Sequence, residues 1–150
     1  MTPVILSRLQ FQHLVLDSLL ENVSSEKIST RPESGKWSIL ENICHLGRYQ
    51  EIFLERIELV LQGEKPLFER YDATLDDGFT EWTKKDFEEI LQELKISRIS
   101  MIQRISALSE EEELHSGSHP VYGDMTIRAW CDFFLLHEAH HLFTILKLKA

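Results

Sequence analysis

Apolar positions recur at threes and fours along four stretches of this chain, and each stretch predicts a helix packed by one face. The first opens at Pro3, a residue suited to a first helical turn, and carries Val4, Ile5, Leu9, Leu16, Leu19, Leu20 and Val23. The polar run Ser24 to Lys27 predicts its stop. A connector follows, Arg31-Pro32-Glu33-Ser34-Gly35-Lys36, whose Pro and Gly resist helix. Ser38 with Glu41 three residues later has the capping-box pattern, so a second helix runs from there through Ile43, His45, Ile52, Phe53, Ile57 and Leu61 to Gly63 and Pro66. The stretch from about Gly63 to Glu81 has no sustained period. The third helix starts near Thr83 and turns Phe87, Leu91, Leu94, Ile102, Ile105 and Leu108 inward. Turn residues span Ser109 to Asp124, and Asp124 or Thr126 caps a fourth helix reaching the C-terminus. No strand pair, repeat or low-complexity tract is predicted. The expectation is an all-α, single-domain four-helix bundle over residues 1–150.

The fourth helix is apolar except at its centre. Steps of four and three join Trp130, Phe134, His137, His141, Thr144 and Leu148 into one stripe, so His137 and His141 project one turn apart from a core-facing side. His45 is the other histidine inside a comparably apolar helix. It lies about 12 Å into the second helix, and the His137–His141 pair lies about 14 Å from the end of the fourth. Those levels match if helices two and four run antiparallel, which makes helices two and three parallel. Such wiring needs a crossover the length of a helix, and the 63–81 link can span about 60 Å. The predicted order is therefore up-down-down-up.

Composition narrows the function. A net charge of −9 with no basic stripe excludes a nucleic-acid partner. Cys44 and Cys131 both fall in apolar helical patterns, as buried reduced thiols, which suits a cytoplasmic protein. Neither a signal peptide nor a membrane span is expected.

Three chemistries compete for the histidines. His137-Glu138-Ala139-His140-His141 matches the short zinc-protease pattern, but no His, Asp or Glu follows His141 to complete it. Glu138 and His141 fit half of a di-iron carboxylate site, and Glu112-x-x-His115, the other such pair, falls in a turn region. A mononuclear site of His45, His137 and His141 fits best, leaving coordination positions open for water or substrate. Partly buried histidines satisfied by hydrogen bonds are the plainer alternative. A rotated face would put His140 in place of His141, although packing against the next helix suits His140 better. His13, His115 and His119 read as ordinary. Glu41 can cap its helix or accept the second N–H of His45, and cannot easily do both.

Trp37-Ser38-Ile39 with Glu41, His45-Leu46 and the late His137-Glu138-x-x-His141-Leu142 helix together resemble the DinB-like (YfiT/DinB) superfamily of metal-binding four-helix bundles. The Arg31-Pro32 and His119-Pro120…Gly123 turns extend the likeness to nearly the whole chain. The resemblance implies metal ligation by His45, His137 and His141 and an up-down-down-up bundle. It implies less about reaction, since members range from thiol-dependent transferases and isomerases to proteins without known activity. The expectation is a metal-dependent enzyme, a hydrolase or thiol-dependent transferase, that activates water or a low-molecular-weight thiol. One divalent ion per chain serves it, zinc or nickel ahead of iron or manganese, with a small-molecule substrate and with Glu138 either shuttling the proton or, pointing about 100° away from His137, standing behind the ligands. The alternative is a non-catalytic metal-stabilised bundle that binds a partner or small ligand. A homodimer is expected, because the helices are apolar on more than one face.

Overall fold

The computed structural model describes residues 1–33 and 35–150; Ser34 of the predicted connector lies outside the described residues. The first bundle helix is not continuous. It consists of α1 (Pro3–Phe11), a 3-10 turn at Gln12–Leu14 and α2 (Val15–Leu20). The tighter turn falls where two polar side chains enter the bundle: His13 is buried, and Gln12 Nε2 donates to the Leu135 carbonyl at 2.8 Å. The polar run read as a stop instead starts a short helix, α3 (Ser25–Ser29), because Ser24 accepts from the Lys27 N–H and Ile28 is buried.

Both halves of the predicted capping box start α4 (Ile39–Leu61), which ends just before Gly63 at φ 82°. The long link holds its own element, α5 (Asp77–Thr83), capped by Asp76, and α6 (Phe87–Ser106) begins after it. α7 (Ile127–Lys149) takes Thr126, not Asp124, as its cap. The predicted absence of strands is corrected. Ser116–His119 (β1) and Gly123–Thr126 (β2) form an antiparallel hairpin, and Leu67 bridges to Ser118. Four-residue strands reading Ser-Gly-Ser-His and Gly-Asp-Met-Thr carry too little apolar alternation to announce themselves.

Named contacts give the wiring. Between α4 and α7, Asn42 meets His141, Tyr49 meets His137 and Phe53 meets Phe134, so rising numbers meet falling ones and the helices are antiparallel. Between α4 and α6, Gln50 reaches Leu94 and Glu58 reaches Arg104, a parallel pair. Leu9 meets Arg98 and Asp17 meets Lys95, which sets the first helix against α6. The order is up-down-down-up.

Two apolar clusters fill the bundle. One is built around Phe53, Ile57, Trp130 and Phe134, the other around Ile43, Trp82, Leu94 and Ile145. An ion pair of Arg98 and Glu138, each 1% exposed, is set among the core helices. No helix among the described residues is long and apolar enough to cross a membrane.

Candidate metal centre

The antiparallel contact of α4 and α7 brings His45, His137 and His141 together, with one potential ligand atom from each inside a mutual 4.8 Å. Nε2 of His45 and Nε2 of His137 are 3.0 Å apart. Two ligands of one ion, with bonds of about 2.1 Å, are separated by about 3.0–3.4 Å, so this spacing fits a shared metal. Two neutral imidazoles can also share a proton at that distance. A third ring centred 4.5 Å from His45 and 4.7 Å from His137 is not needed for that hydrogen bond, but a metal would use it.

The third ring is held by a residue the sequence reading passed over. Asn42 Nδ2 donates to the Ser38 carbonyl at 2.8 Å, which turns Oδ1 toward His141 Nδ1, also at 2.8 Å. His141 therefore carries its proton on Nδ1, donates it to Asn42, and keeps the Nε2 lone pair free. Nδ1 of His45 and of His137 is buried without a hydrogen-bond partner among the described residues. Burial, reinforced by the neighbouring histidines, lowers all three pKa values to about 3. The rings are thus neutral at physiological pH, the form that ligates. The donor set fits a divalent ion.

Aromatic side chains enclose the cluster. Trp37 lies 5.0 Å from His45, Tyr49 4.2 Å from His137 and Tyr71 5.7 Å from His45, ring centre to ring centre. The Tyr71 hydroxyl donates to Asp76, and burial followed by that bond raises its pKa well above the usual range. The histidines open onto a cavity of about 930 Å³.

Other candidate residues are placed elsewhere. Glu138, expected as the proton shuttle, is not brought to the histidines: its carboxylate pairs with Arg98 and accepts from Gln12 Nε2 at 2.9 Å. A side chain one position beyond His137 is rotated about 100° around the helix, and here that direction is the interior of the bundle. Glu41 completes its capping box and pairs with Arg31, so it does not orient His45. His140 is exposed and lies edge-on to His141. Cys44 and Cys131 are free and buried, and burial pushes both thiols up to about 12. His13 is buried, which lowers its pKa to about 4. His119, read as ordinary, lines the histidine cavity from the hairpin.

Asn42 and Tyr49 were findable, being one turn either side of His45 on its own helix. Arg56 was findable in the same way, two turns beyond Tyr49 on α4, whereas Tyr71 and His119 had no periodic signal, since the chain's path through the crossover and hairpin places them.

A family model for the DinB superfamily matches residues 8–145. The Bacillus subtilis protein YuaE is 27% identical over 147 residues, covering 87% of this chain and 88% of its own. An Oceanobacillus iheyensis protein named "Putative metal-dependent hydrolase OB0782" is 23% identical over 139 residues, covering 89% of this chain and 77% of its own. In structure, the chain resembles Bacillus subtilis YfiT, described as "a probable metal-dependent hydrolase with an unusual four-helix bundle topology". The TM-score is 0.80 at 20% identity, over 96% of this chain and 83% of YfiT. The four-helix bundle protein TT2238 matches with a TM-score of 0.70 at 19% identity, over 96% and 97% of the two chains.

Proposed function

The chain belongs to the DinB superfamily, and from that premise we propose that His45, His137 and His141 hold one divalent metal ion in a hydrolase or thiol-dependent transferase. The observation that carries the reading is the convergence of three neutral imidazoles from two helices on one point at the wall of a large cavity. Relatives named as metal-dependent hydrolases support the same reading. Zinc or nickel suits three nitrogen donors best, with iron and manganese behind them. A divalent ion in such a site supplies a Lewis acid that makes a nucleophile of water or a thiol near neutral pH.

The protein's own groups do the rest. Burial keeps the imidazoles unprotonated, Asn42 fixes the His141 tautomer, and Trp37, Tyr49 and Tyr71 limit water around the rings. One observation favours the second reading, a non-catalytic metal-stabilised bundle: Glu138, the carboxylate beside His137 in sequence, is tied to Arg98 and is not placed to move a proton at the histidines.

Elemental analysis of protein purified without a His-tag tests the centre. One equivalent per chain is expected, lost in His45→Ala, His137→Ala and His141→Ala and kept in His140→Ala. Full occupancy in any of the first three removes that residue from the ligand set. Turnover that disappears on chelation separates the enzyme from the inert bundle.

A further inference from the structure

The far end of the histidine cavity holds positive charge that the metal reading does not use. Arg31, Arg48, Arg98, Arg104 and Arg128 each pair with a carboxylate. Arg56 and Arg70 line the cavity and pair with none among the described residues. Arg56 is only 9% exposed. Its guanidinium lies 5.1 Å from the centre of the Phe68 ring and 5.7 Å from that of Trp130, and donates once, to the Glu69 carbonyl at 2.9 Å. A guanidinium has five N–H donors, and a desolvated one without a counter-ion is costly to keep in a folded chain. In a protein of net charge −9, Arg56 has no carboxylate partner among the described residues.

His119 adds a neutral donor. Its Nδ1 accepts from the backbone N–H groups of Val121 and Tyr122 at 3.1 and 3.2 Å, so the ring proton sits on Nε2. Burial, then the charges of Arg56 and Arg70, hold its pKa below the ordinary range. Among the described residues Asp72 is the one carboxylate lining the cavity, and its Oδ1 already accepts from the Thr74 backbone and hydroxyl. Arg56 is about 16 Å beyond His45 along the axis of α4, and Tyr49 and Phe133 line the cavity with them.

We propose that Arg56, Arg70 and His119 form an anion subsite for the carboxylate or phosphate of a small substrate whose other end reacts at the three histidines. Arginine suits either anion because its planar fork donates two parallel N–H bonds. The aromatic walls between the two ends suit an apolar or flat middle. The assignment of the reacting end rests on the metal reading above; the anion subsite does not.

The test titrates the full-length chain, as purified and again after chelation, with 4-phenylbutyrate, phenyl phosphate and the uncharged 4-phenylbutyramide, by calorimetry. At least one anion should bind about tenfold or more tightly than the amide, with the metal and without it. Arg56→Gln and Arg70→Gln should each shrink that preference, Arg56→Lys should keep part of it, and Arg104→Gln should leave it intact. Arg70 is exposed, so its variant decides the matter if Arg56→Gln fails to fold. Equal binding of anion and amide overturns the subsite. So does a preference unchanged in Arg70→Gln, or no saturable anion binding at millimolar concentration. His45→Ala should keep the preference while losing the metal. Preference without any metal in the wild-type chain would sink the metal reading and leave the subsite standing.

Discussion

Replacing Glu138 with Gln keeps the side chain's shape but removes the charge facing Arg98. Both residues are 1% exposed, so the arginine cannot turn to water without opening the bundle. It retains Gln50 Oε1 and the Leu9 carbonyl as neutral acceptors. A buried charge stripped of its partner costs about 3–5 kcal/mol, and those two acceptors put the expectation near the lower end. That is a large share of the roughly 5–15 kcal/mol by which domains are stable. Urea denaturation of chelated protein, followed by circular dichroism, reads it without a contribution from metal binding. With a slope of roughly 2 kcal/mol per molar, the midpoint should fall by about 1.5 M or more. Arg98→Met with Glu138→Leu should recover most of the loss, since an apolar pair needs no counter-charge. A shift below about 1 kcal/mol for Glu138→Gln would refute the structural role. If that small shift came with lost turnover, Glu138 would return as a proton carrier.

Asn42→Ala should weaken metal binding by about ten- to a hundredfold while leaving stoichiometry at saturation unchanged, as competition with a chromophoric chelator would show. In metal-free protein, burial holds the three histidines near 3 against 6.5 in the unfolded chain, so the unfolded state takes up more protons between those values. Stability should be full above about pH 6.5 and fall progressively as pH drops toward 3; a melting temperature flat from pH 7 to 5 would contradict the burial. Leu136, Phe143 and Leu146 are exposed on α7. A homodimer covering them is the proposal, and a monomer by sedimentation at tens of micromolar counts against it.

The four bundle helices and their wiring were legible because each rests on a periodic apolar face, although the break of the first at Gln12–Leu14 was not. The histidine levels worked for the same reason: distance along a helix is fixed by residue count. Glu138 shows the limit. Its position beside His137 suggested chemistry, yet the helix turned it toward Arg98, a charged residue in a helix otherwise read by its apolar positions. Arg98 carried no sign of burial in the sequence, since arginines on amphipathic helices are ordinarily solvated. The hairpin and α5 were hidden by brevity, and with them His119 and the Arg56 end of the cavity.

The wiring also bears on how the protein is made. His45 and His137 meet although they stand 92 positions apart in the chain. A ribosome releases the first of them long before the others, since α7 follows both α4 and α6 in the chain. On the proposed reading, an ion would find no complete site before α7 is made and would not be the seed around which the earlier helices collapse. The parallel α4–α6 pair and the distant α4–α7 pair must close by chain diffusion, which makes folding slower than in a bundle of successive hairpins. On the proposed reading, metal would bind only once α7 has joined α4, and a chain cut short before α7 leaves His45 without its partners.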